Sequence, residues 1–292
     1  MPRPLPRPLP PLTSRRNANL LGRPIGDRAA AGFIGLFAHP SRTRKDTRGL
    51  PCCELPSDML GHMNLIFPSV LRELTYADSL SAKDRRSVSL SYEEALDLCR
   101  SYLRDMYLGV RYDGMIREDW NTSTPNKLVD RNIEAANAIG ARYKYQPDDP
   151  LVQVPIPALE RIPVNADAFE TDQFDGIAAD ILSYLDDFKG VDVSVASKLM
   201  HQKRSSYFPI FDMQARRVLG VPWTRGYGSS DYQLLFTWYR EAAFQDDNVA
   251  TITRVADRLN SETDEGRRFC FARVRVLDIL AWGISQYRDP FK

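Results

Sequence analysis

The chain is predicted to be all-α, a compact multi-helix bundle, on three observations. From residue 89 onward, apolar residues recur at the three- and four-residue spacing of amphipathic helices. Capping residues and glycines punctuate those runs at their ends. There is no succession of strands and no internal repeat.

The elements follow in order. Ser91 and Glu94 form a capping box ahead of "ALDLCRSYLRDMYL". Thr124-Pro125 reads as the opening of a second helix to Ile139, closed by Gly140, because proline suits a first turn. Residues 147–163 hold five prolines and read as an extended connector. Within it "LVQVPI" at 151–156 is the one candidate strand, limited by Pro155. From Thr171, the positions Phe174, Ile177, Ala178, Ile181, Leu182, Leu185 and Phe188 keep helix spacing until Gly190. Val193, Ala196 and Met200, flanked by Leu199, mark the next helix. Phe211, Ala215, Val218 and Leu219 mark another, stopped by Gly220-Val221-Pro222. Ser230 and Gln233 cap a helix with an inner face of Leu234, Leu235, Trp238, Tyr239 and Ala242. Asn248 starts one carrying Val249, Ile252, Val255, Ala256 and Leu259. The last, from about Arg267 to Gln286, is apolar around most of its circumference and belongs inside the bundle.

Residues 1–58 differ in kind. "MPRPLPRPLPPL" favours extended chain, and the segment reads as a disordered Pro/Arg-rich leader, or as sequence upstream of a true start at Met59 or Met63. The twin arginines of "SRRNANLLG" and the apolar "AAAGFIGLFA" give a competing targeting reading, which Asp27 interrupts. Residues 59–88 are a linker or N-terminal extension, and 89–288 a single helical domain. Nine Arg and one Lys against four acids give residues 1–58 a charge of +6, leaving −5 on the remainder of a chain whose net charge is +1. Nucleic-acid contact therefore needs a local basic patch.

Four cysteines at 52, 53, 99 and 270, with three histidines, give no zinc spacing, so no metal and no cofactor is expected. So few thiols fit a cytoplasmic protein, and no apolar run reaches membrane-spanning length. Phosphate-binding loops, H-E-x-x-H and G-x-S-x-G are absent. "GYGSS" at 226–230 reads as a turn.

The stretch "SKLMHQKRSSYFPIFDMQARRVLG", 197–220, is the most distinctive. Lys198, Lys203, Arg204, Arg216 and Arg217 oppose only Asp212 between 198 and 217, a local +4 of the kind expected at a phosphate contact. In a purely structural reading, Asp212 caps the following helix and pairs with Arg216 at i+4, and Tyr207 and Phe208 are core anchors. His201 reads as a partly exposed helix residue. A pocket lined by Tyr207, Phe208, Trp223 and Trp238 is a further reading.

This stretch, together with "RVLDILAW", resembles an uncharacterised bacterial family of unknown function over roughly residues 90–285. More distantly, residues 171–285 resemble the helix-hairpin-helix DNA glycosylases, all-α enzymes with a glycine hairpin and, about one helix later, an essential aspartate. The resemblance places the hairpin at "KGVDVSVASK", 189–198, and the aspartate at Asp212. It implies base excision on DNA, with Asp212 stabilising the cationic sugar or activating a nucleophile. Amides of Gly190 and Val191 would hold a phosphate. Lys198, Lys203, Arg204 and Arg217 would position the backbone beside Ser194. Ser194 stands where bifunctional members carry a lysine, so Schiff-base chemistry is not implied. Asp192 replaces the second hairpin glycine; a good N-cap, it would fill the helix terminus that otherwise attracts phosphate. The alternative is a non-catalytic interaction or regulatory protein on the same scaffold.

Overall fold

In the computed structural model, the described residues are 64–72, 84–144, 149–153, 155–222 and 229–291. The leader, Cys52, Cys53, Trp223 and most of "GYGSS" lie outside them. Strands β1 (Asn64–Leu71) and β2 (Arg85–Ser91) pair antiparallel. Helices follow: α1 (Tyr92–Asp105), α2 (Tyr107–Met115), α3 (Asp119–Thr122), α4 (Asp130–Ala138), α5 (Pro150–Gln153), α6 (Asp175–Asp186), α7 (Val193–Lys203), α8 (Met213–Val218), α9 (Ser229–Ala243), α10 (Asp246–Glu262), α11 (Asp264–Phe269) and α12 (Arg273–Tyr287).

The fold is helix-dominated, with a correction to the all-α expectation. From Ser87 onward β2 alternates, burying Val88 and Leu90 between exposed neighbours. β1 bulges between Phe67 and Val70, where Pro68 has no N–H to give a ladder. Asn248 on α10 treats β1 as a neighbouring strand would: Oδ1 accepts from the Ile66 N–H at 2.7 Å, and Nδ2 donates to the Ile66 carbonyl at 2.8 Å. The packed body thus extends back to residue 64.

The helix α12 is central. It packs on α1, α8 and α10, and Val274 to Ala281 are all buried. Its predicted start at Arg267 is too early. The chain leaves helix at Cys270, whose φ is +48°, because the Asn260 side chain claims both the N–H and the C=O of Phe271.

Other boundaries move for identifiable reasons. Around α1 the capping box is formed as expected, with Glu94 N donating to Ser91 Oγ and Ser91 N to the Glu94 carboxylate. The predicted helix opening at Thr124-Pro125 is instead a loop. Its carbonyls accept from Lys203 and Arg204, and α4 starts only at Asp130. "LVQVPI" begins in the short helix α5, and Pro155 makes only an isolated bridge to Lys127. On α9, Leu234 faces solvent; the inner face is Tyr232, Leu235, Phe236, Tyr239 and Ala242. No helix among the described residues is long and apolar enough to cross a membrane.

Candidate functional site

Helices α6 and α7 pack together across a tight turn in which Gly190 has φ of +88°. That left-handed value is open to glycine at no steric penalty. The Val191 N–H donates to the Phe188 carbonyl, and Asp192 Oδ1 accepts from Val195 N at 2.9 Å. Asp192 therefore fills the N-terminus of its own helix.

The segment from α7 to α8 is threaded over α7 by two side chains. His201 Nδ1 bonds the Phe208 carbonyl at 2.8 Å, and Ser197 Oγ accepts from Phe211 N at 3.0 Å. Tyr207 and Phe208 are fully buried, as core anchors. His201 is fully buried too, which corrects the expectation of partial exposure. Burial lowers its pKa to about 3. The chain then delivers Asp212 to the N-cap of α8, where Oδ1 accepts from Ala215 N at 2.9 Å. Arg216, expected to pair with Asp212, turns instead to the Pro222 carbonyl.

The basic residues point inward. Arg204 is saturated: Nε donates to Ile162 O, Nη1 to Pro125 O and Lys203 O, and Nη2 to Leu159 O and Asn126 Oδ1, at 2.6–2.9 Å. Lys203 Nζ donates to both oxygens of Thr124, and its burial lowers its pKa to about 7. Arg217 donates to the carbonyls of Leu71 and Arg72 and pairs with Asp289 at 2.5 Å. Lys198, only 3% exposed, gives Nζ to Ser194 Oγ at 3.1 Å. Burial lowers the Lys198 pKa, and the charges of Asp212 and Asp192 oppose that shift. Lys198 thus lies within the field of both the hairpin acid and the cap acid.

Asp212 borders a cavity of about 350 Å³ between α1, α2, α4, α8 and α12. Its polar lining comes mainly from residues not singled out in the sequence: Tyr102, Arg275, Asp278, Gln214 and Gln286, with Trp282 as an aromatic wall. Arg275 is held by a buried fork, Nε to Asp113 Oδ1 at 2.7 Å and Nη2 to Asp113 Oδ2 at 3.0 Å, and Nη2 also reaches Tyr102 Oη at 2.5 Å. Asp278, 5% exposed, receives only long contacts of 3.4 Å from Ile210 N. Burial holds its carboxyl well above the usual carboxylate range. Arg275 works against that rise, and the charge on Asp212 adds to it. Two carboxyl groups in unlike surroundings therefore share one chamber. The signal that marks Arg275 and Asp278 is a basic and an acidic residue inside the otherwise apolar, buried run Val274–Ala281.

Other clefts are less equipped. An opening of about 500 Å³ beside α2, α4 and α11 carries charges of both signs, with Arg131 paired to Glu118. Trp238 borders a separate cleft near Pro68 and Gly220. The aromatic pocket expected from Tyr207, Phe208 and Trp238 is not assembled, because the first two are core. No cluster of three or more His, Cys, Asp or Glu suited to a metal occurs among the described residues.

A helical body built around one charged, cavity-facing helix defines the class. Residues 95–285 match the model of a family of unknown function, DUF6308, and the chain belongs to that family. No curated protein and no solved structure matches it.

Proposed function

We propose that the chamber is an acid–base site that cleaves an N-glycosidic bond. The observation that carries this reading is the placement of both carboxyls on the walls of one cavity, Asp278 buried with its pKa raised and Asp212 half-buried at a helix N-cap. Paired carboxyls so divided serve as acid and base in glycoside hydrolysis. Asp278 donates its proton to the departing ring nitrogen, which keeps the electron pair of the broken C–N bond. Water adds to the anomeric carbon and gives its proton to Asp212, whose charge also offsets the oxocarbenium-like state. Both carboxyls then return to their starting states by exchange with solvent. Trp282 supplies an aromatic wall beside the ring.

The resemblance to helix-hairpin-helix DNA glycosylases supports the same assignment for Asp212. A non-catalytic scaffold is favoured by one observation, the cap bond to Ala215, which already accounts for an aspartate at this position. Asp212→Asn separates the two readings, since asparagine caps as well as aspartate but carries no charge. Base release, followed chromatographically, is to be measured on free nucleosides and on single- and double-stranded oligonucleotides with damaged bases. The expected result is release by the wild type and a loss of about 100-fold or more in Asp212→Asn, with an unchanged unfolding midpoint. Release that survives in Asp212→Asn, or no release from any substrate, refutes the assignment.

A further inference from the structure

We infer that the substrate is a monomeric N-glycoside of nucleoside size rather than a nucleic-acid strand. This rests on the N-glycosidic reading of the chamber and specifies its substrate class.

A protein that grips a strand must present cations and free amides to phosphates. Here both are turned inward. Of the five cations between 198 and 217, Lys198, Lys203, Arg204 and Arg216 are buried. Arg217 is tied to two carbonyls and to Asp289. At the hairpin, the Val191 amide is taken by Phe188 and the α7 terminus by Asp192. Asp187 and Asp192 are exposed there, and both raise the pKa of Asp186, after the larger effect of its burial. Lys189 is exposed between them, so the turn presents two acids against one cation where a phosphate would approach.

The chamber has the opposite character. Its approximately 350 Å³ falls at the low end of small-molecule pockets, roughly 300–1,000 Å³. Among the described residues its one cation, Arg275, is neutralised by Asp113. At its edge, Leu108 is half exposed, and the amides of Gln214 and Gln286 complete the lining. These are groups for an uncharged, hydroxyl-bearing ring system, and none of them suits a phosphate diester.

The test compares inosine, adenosine and deoxyuridine with 20-residue oligonucleotides, single-stranded and duplex, that carry the same units, using the full chain at 50 mM salt. The expected result is base release from at least one free nucleoside, with kcat/KM at least 100-fold above that for the matching oligonucleotide, and no duplex retention in filter binding. Faster release from an oligonucleotide, or duplex binding at that salt, overturns this inference while leaving the N-glycosidic reading standing. Silence from every nucleoside and oligonucleotide removes both.

Discussion

Removing Asp113 should weaken the whole body and disturb the chamber together. In Asp113→Ala, Arg275 loses both bonds of its fork, 2.7 and 3.0 Å, and keeps only the Tyr102 hydroxyl as a hydrogen-bond partner. Arg275 is only 6% exposed, so little of what is lost can be replaced by solvent. Breaking a buried pair by deleting one partner costs about 3–5 kcal/mol. The ring faces of Tyr102 and Tyr112, 5.4 and 5.5 Å from the guanidinium, remain as cation–π partners and place the expectation near the lower figure. For a body of this size each kcal/mol moves Tm by about 2–4 °C, so a fall of roughly 6–12 °C is expected. Urea unfolding with an unchanged slope measures the free energy directly. Adding Arg275→Met to Asp113→Ala should restore stability to within about 1 kcal/mol of wild type, since an apolar replacement leaves no stranded charge. A loss under about 1 kcal/mol in the single variant, or a double variant no better than the single, refutes the reasoning.

Two further outcomes follow from buried polar groups. His201 takes up a proton at pH 6.5 when unfolded but only near pH 3 when folded. The unfolded chain therefore binds more protons across that window, and stability falls as pH drops from about 6.5 toward 3, by up to about 1.4 kcal/mol per unit from this group. In His201→Asn, which keeps an N–H for the Phe208 carbonyl, the slope of unfolding free energy against pH should be shallower over this range; parallel curves would contradict the assignment. Asn248→Ala strands the Ile66 N–H and carbonyl and should cost about 2–4 kcal/mol. Hydrogen exchange at the Ile66 amide should accelerate, and an unchanged rate would show that Asn248 does not hold this edge.

How far the sequence discloses this molecule depends on the distance over which each determinant acts. Local signals were legible: the Ser91–Glu94 box and the glycine stops at 190 and 220 rest on contacts within a few residues, and the apolar circumference of the last helix marks it as buried. The strands do not stand out, although the alternation in "SVSLS" carries one of them, because β1 depends on an α10 side chain 182 residues away. The charge count over 198–217 was correct as arithmetic. Its meaning depended on where Lys203 and Arg204 point, and the carbonyls of residues 124–125 and 159–162 that draw them inward lie far off in sequence. Asp212 stands out by its setting after Pro209. Asp278 sits inside a run whose pattern is apolar, yet an acid amid Val276, Leu277, Ile279 and Leu280 is costly unless something uses or satisfies it.

The cap and the chemistry proposed for Asp212 need not compete. An ionised carboxylate has two oxygens and about four acceptor sites, and the cap to Ala215 N engages Oδ1 alone. That bond fixes the side chain against rotation. Ser197 and His201 fix the backbone that leads to it, through Phe211 N and the Phe208 carbonyl. A charge held in place before any substrate arrives requires no reorganisation when positive charge develops nearby, which is the condition under which electrostatic stabilisation is strongest. The bond that makes Asp212 look merely structural is thus also what would position it, and only removal of the charge with retention of the cap distinguishes the two roles.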